Sequence, residues 1–370
     1  MTERERRLYI PSLDGWRAIA IGLVVGAHSQ PALRNSHTRI GEVVANIFVH
    51  TGYGVDVFFA LSGYLICTLL LSEKRATQTI SLRKFYIRRA FRILPIILAY
   101  LTVLFTLWKL DLLPGLKASE FLSVLGFVRN YVPGTWYTGH FWSLAIEEHF
   151  YLLIPLMFLL LKWRQAIATC TMLACITIVV RAIEYHFGLF SGSLLQFRTE
   201  NRFDGLMWGA VLALLLDQPA IRDWCKRKMS GYTFILLVVA GAIGMTLLSA
   251  QPWRRTIAAL VLPLLIAHTV LRPQLLLARW LEAGWVRWIG RLSYSIYVWQ
   301  TLFLPEGSRP LGIVQNFPWA PVCILTCASI SYFWIEKPLI RLGHKVAAMQ
   351  LPERREYTLP GSVEFGSSES

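Results

Sequence analysis

The sequence predicts an all-α protein threaded through a membrane by about ten helices. Two observations carry this. Of 370 residues, 55% are hydrophobic and only 16% charged, with a mean hydropathy of +0.48; a soluble domain carries about 25% charged residues. Apolar runs also recur along the chain, many near the roughly 20 residues that a span needs at 1.5 Å rise per residue. The net charge of +15 does not indicate nucleic acid. The basic residues lie between the apolar runs, as they do in loops flanking spans. Six cysteines are present, and five of them (Cys67, Cys170, Cys175, Cys323 and Cys327) sit in apolar runs. Their spacing suggests neither a disulfide framework nor a zinc site, so no metal is expected.

The expected spans are 13–31, 54–72, 93–110, 141–161, 166–187, 203–217, 232–249, 256–271, 289–304 and 319–340. Asp14 and Arg17 inside the first run argue against a cleaved signal peptide. The sixth span is short and opens on charges. The run 121–128 is too short to cross and suits a re-entrant or interfacial segment. Residues 1–343 form one membrane-embedded unit, and 344–370 a polar cytoplasmic tail whose composition suits disorder. Ten spans leave both ends on one side. With the ends inside, the inner segments hold 25 Lys and Arg against 10 in the outer ones. The positive-inside rule therefore sets N-in, C-in, in a plasma or cell inner membrane.

That topology gives each odd residue a depth. Arg17 and His28 are eleven residues apart, about 20° past three full turns, so both project from one face of the first span. Arg17 lies toward the inner side and His28 toward the outer. Asp56, Glu147, Glu148, Arg202, Asp204 and Gln300 fall in the outer parts of four other spans, toward His28. Intramembrane ionisable groups mark a pathway, a relay or a reactive site. At the inner side, "SLRKFYIRRAFRILP" groups Arg88, Arg89 and Arg92 on neighbouring helix faces. Guanidinium groups suit phosphates because they bind them bidentately. Blander readings stand beside these. His28 alone fits a structural histidine as well as a base, Arg17 can snorkel to headgroups, and Asp56 can cap its helix. The basic segment can bind anionic lipid.

Seven stretches in order, "LDGWRAIAIGLVVGAH", "GVDVFFALSGYLI", "FYIRRAFRILP", "FWSLAIEEHFYLLIP", "NRFDGLMWG", "IGRLSYSIYVW" and "EKPLI", resemble the acyltransferase-3 family of integral membrane acyltransferases. The family's paired Arg and His correspond to Arg17 and His28. Its Arg-x-x-Arg corresponds to Arg89 and Arg92. The acid of its Trp-Ser-Leu-x-x-Glu motif corresponds to Glu147, after Trp142. Gln300 departs from the family, which commonly has His after the ninth-span Trp, and His149 stands where the family often has Gln.

The resemblance implies transfer of an acyl group, often acetyl, from cytoplasmic acyl-CoA to a hydroxyl of a sugar in a polysaccharide, glycolipid or glycoside, with no permanently bound cofactor. On that reading His28 takes the hydroxyl proton and Glu147 orients its ring, as the acid does in a triad. Arg88, Arg89 and Arg92 hold the CoA phosphates, and Arg17 walls the passage between. Asp56, Trp142, Arg202, Asp204, Tyr297 and Gln300 are the substrate-facing candidates. A transporter or proton-coupled flippase using the same charges is the alternative, and Gln300 also admits a non-catalytic member of the family.

Overall fold

The computed structural model describes residues 9–34, 39, 42, 52–113, 115–189, 194–247 and 251–349. Most of the polar tail expected at 344–370 falls outside them. No strand occurs among the described residues. In chain order the helices are α1 (Pro11–Arg34), α2 (Gly54–Thr77), α3 (Leu82–Lys109), the short α4 (Ala118–Leu125) and α5 (Trp136–Gly139), α6 (Phe141–Leu160), α7 (Trp163–His186) and α8 (Asp204–Leu216). Then follow α9 (Pro219–Lys228), α10 (Gly231–Leu247), α11 (Gln251–Leu271), the short α12 (Leu276–Leu281), α13 (Gly284–Phe303) and α14 (Trp319–Ser331). A π-helical turn, Tyr332–Glu336, joins α14 to α15 (Lys337–Ala348).

Six helical stretches are long and apolar enough to cross a bilayer: α2, α3, α5 with α6, α7, Trp253–Leu271 of α11, and α14 through α15. A seventh results if α9 and α10, bent by 87°, are one span. Ten were expected. The difference falls on α1, α8 and α13, for a physical reason. The first carries Asp14, Arg17, His28 and Gln30, and the last Arg287, Arg291 and Gln300. The middle one has only 13 residues. These helices turn their side chains inward. Eleven of the 13 residues of α8 and 13 of the 20 of α13 are buried. A helix sheathed by protein needs little apolar surface toward lipid, and it can carry the polar groups that lipid rejects.

Glycine sets how closely this inner group packs. A Cβ on Gly63 of α2 would fall on the Leu206 carbonyl oxygen of α8, and one on Gly290 of α13 on the Asp14 carbonyl oxygen of α1. Both pairs thus cross backbone to backbone, as small residues permit in membranes. A buried ion pair ties α7 to α8: Arg181 meets Asp204 at 2.5 Å and also donates to the Asn201 carbonyl and the Thr256 hydroxyl. The basic segment 83–92 forms the first turns of α3, which Ser81 caps by accepting from the Lys84 amide at 3.4 Å.

Candidate active site

Two cavities open along α1, one near each end of its polar face. The larger, about 440 Å³, is lined by His28 and Ala27 of α1, by Trp136, His140 and Trp142 around the start of α6, and by Tyr297 and Thr301 of α13. Phe197, Arg129, Arg255 and Glu306 also line it. The smaller, about 90 Å³, is lined by Arg17, Arg89 and Arg92, by Ser143, Glu147 and Tyr151 of α6, and by Ser62, Tyr294 and Tyr297. Tyr297 belongs to both. Its hydroxyl donates to the His140 carbonyl at 2.6 Å and lies 2.6 Å from Ser143 Oγ, closing the wall between them. Arg17 and His28 stand about 16 Å apart along one helix, one in each cavity.

In the large cavity the His28 ring meets the edge of Trp136, with centroids 5.2 Å apart. The Gln300 side chain approaches His28. No hydrogen bond of ordinary geometry engages His28 Nδ1 or either amide atom of Gln300, which is fully buried. Trp142 is held by Phe197 at 4.9 Å and by the Arg202 guanidinium at 5.1 Å. Arg202 and Arg255 converge on Asp56, at 3.0 and 2.6 Å. The structure thus gathers Asp56, Trp142 and Arg202 on one side of this cavity. Asp204 is apart from them, in its pair with Arg181. Asp56 bridges two cations, a larger task than capping its own helix.

Glu147 lies in the small cavity, where it accepts from the Tyr151 hydroxyl at 2.9 Å with Arg17 and Arg89 as the nearby cations. It therefore lines the cavity of the arginines and not that of His28. The reason is depth: Glu147 stands six residues into α6, about 9 Å below its start, whereas His140, immediately before α6, reaches the level of His28. Arg89 packs over the Tyr151 ring at 5.0 Å. Arg92 lines the same cavity, and Arg88 turns away to Glu73 at 3.5 Å.

Sequence reasoning missed His140, Arg255 and Glu336. The last is buried, accepts from Ser295 Oγ at 2.8 Å, and faces Arg92 and Arg17. Two had a signal, since Glu336 opens "EKPLI" and His140 stands two residues before Trp142. Arg255 had none, because 199 residues separate it from Asp56. Among the described residues no group of His, Cys, Asp and Glu is arranged to hold a metal ion.

Residues 10–335 match the family model described as an acyltransferase domain. The chain belongs to the acyltransferase-3 family. Its similarity extends to proteins named O-acetyltransferase OatA in Staphylococcus aureus strain NCTC 8325, 29% identical over 94% of this chain and 60% of that protein, and peptidoglycan O-acetyltransferase OatA in Listeria monocytogenes, 28% identical over 92% of this chain and 57% of that protein. A putative O-acetyltransferase of S. aureus strain COL is 28% identical over 93% of this chain and 59% of its own length. The chain thus spans about three fifths of these relatives. No solved structure matches it. Within this acyltransferase fold the matched region takes in both cavities and all the helices from α1 to α14.

Proposed function

We propose that the protein is a multi-pass O-acyltransferase of the plasma membrane that moves an acetyl group from cytoplasmic acyl-CoA to a sugar hydroxyl of a cell-wall or surface glycan. The observation that carries the reading is the pair of cavities meeting at Tyr297. The small one offers Arg17, Arg89 and Arg92 to the donor, and bidentate guanidinium groups suit its phosphates. The pantetheine arm then passes Tyr297 and brings the thioester carbonyl to the His28 cavity. Indole faces such as Trp142 offer a sugar ring a flat apolar surface, and Arg255 and Glu306 offer hydrogen bonds to its hydroxyls. Gln300, whose buried amide has no other partner and approaches His28, is the group available to orient that ring, the part first assigned to Glu147. The relatives named for peptidoglycan O-acetylation support a cell-wall acceptor and an acetyl donor.

Both chain ends face the cytoplasm, so the arginines meet the donor on its own side. The six apolar stretches, the α9–α10 pair and the protein-sheathed α1, α8 and α13 together make ten crossings. Purified protein in detergent, given labelled acetyl-CoA and a peptidoglycan oligosaccharide, is expected to release CoA and acetylate the sugar. A preparation that binds acetyl-CoA yet neither hydrolyses nor transfers it would contradict the reading and favour a non-catalytic member of the family.

A further inference from the structure

His140 has no part in the mechanism so far, yet it is the better-prepared of the two imidazoles. Its ring is 4% exposed and lines the same cavity as His28. Three contacts beyond it form a chain. His140 Nδ1 is 3.0 Å from Thr301 Oγ1, which is 3.0 Å from the Tyr100 hydroxyl, which donates to the Tyr137 carbonyl at 2.7 Å. A carbonyl only accepts, so the single proton of Tyr100 is committed to it. The Tyr100 oxygen can then only accept, and the proton of Thr301 goes there or to the same Tyr137 carbonyl at 3.5 Å. Thr301 Oγ1 in turn can accept only from His140 Nδ1. The one arrangement that makes all three bonds therefore carries the proton on Nδ1 and leaves a lone pair on Nε2. Nε2 is buried and has no hydrogen-bond partner. Packing fixes the ring on three sides: Phe141 at 4.2 Å, Tyr297 at 5.5 Å and Tyr100 at 5.6 Å. His28 has no comparable chain, since its Nδ1 is unpartnered.

Resting on the acyl-transfer reading above, we propose that His140 Nε2 is the general base for the acceptor hydroxyl, and that His28 serves the leaving sulfur. As the sugar oxygen attacks the thioester carbonyl carbon, its proton passes to His140 Nε2 and the C–O bond forms. The C–S bond breaks and its electron pair leaves on the CoA sulfur. His140 passes that proton to His28, and the His28 imidazolium so formed gives a proton to the thiolate. Both rings end as they began, and the products are the ester and free CoA thiol.

The test uses two acceptors. A sugar hydroxyl must lose its proton to react, whereas hydroxylamine is already a good nucleophile when neutral. In the purified full chain, His140→Gln should lower kcat for the peptidoglycan oligosaccharide roughly 100-fold or more, the range of general-base losses. Transfer to hydroxylamine, and the KM for acetyl-CoA, should stay within about threefold. Thr301→Val, which keeps both rings but removes the acceptor of Nδ1–H, should show a weaker loss of the same selectivity. His28→Ala and Arg92→Ala should lose both reactions. If His140→Gln keeps its glycan rate, or loses hydroxylamine transfer equally, the assignment to His140 is overturned while the acyl-transfer reading stands. If the unmutated chain transfers the acetyl group to neither acceptor, the acyl-transfer reading itself fails; if His28→Ala and Arg92→Ala leave both reactions intact, the roles given to those two residues fail.

Discussion

A single phenol closes the wall between the two cavities. Tyr297 uses its hydroxyl on the His140 carbonyl and Ser143, and its ring fills the boundary. Tyr297→Phe keeps the ring and loses both bonds; the expected cost is about 1–3 kcal/mol for the polar groups left unpaired, read as a lower thermal midpoint in detergent. Tyr297→Ala removes the ring and joins the cavities. Water then reaches the thioester more easily, so the ratio of acetyl-CoA hydrolysis to glycan acetylation should rise severalfold, measured as free CoA against acetylated sugar. At this scale the sequence was partly legible. The eleven-residue spacing correctly put Arg17 and His28 on one inward face, because helix geometry alone decides it. The partner of His28 was misread because Glu147 was judged only as lying in the outer part of its span, and seven residues of depth separate it from His140. Arg88 was grouped with Arg89 and Arg92 by helical spacing, but Glu73 draws it aside.

The helices differ in what the membrane asks of them. α7 and the long α14–α15 stretch have only 28% of their most apolar windows buried within the protein, and their apolar faces are what hydropathy detects. α1, α8 and α13 sit among other helices; α1 and α13 carry polar groups along their length, and α8, though apolar, has only 13 residues. Their close crossings depend on Gly63 and Gly290. Gly290→Leu would drive a side chain into the α1 backbone at Asp14. Overpacking costs about 1–3 kcal/mol in well-packed cores and more where backbone is struck, so this variant should insert poorly or melt early, seen by size-exclusion profile and thermal shift. Arg181→Met leaves Asp204 buried without its partner. Breaking such a pair costs about 3–5 kcal/mol, and the melt should show it without a specific change in donor KM.

For the whole molecule, the all-α membrane class was readable from composition and apolar runs, since both are additive along the chain. The meeting of the cavities was not. It depends on which helices touch, and contacts such as Asp56 with Arg255 join distant segments that share no local pattern. Orientation has its own check in Cys225, part-exposed in the basic α9. A membrane-impermeant thiol reagent should label it in inside-out vesicles and not in intact cells; labelling from outside would reverse the topology. The account rests most of all on one donor path, and a structure with a non-hydrolysable acetyl-CoA analogue bound tests it most directly. The account expects phosphate density against Arg89 and Arg92, the pantetheine arm passing a displaced Tyr297, and the acyl carbonyl between His28 and His140. An analogue whose acyl end stops on the arginine side of Tyr297, or which binds away from the arginines, would contradict it.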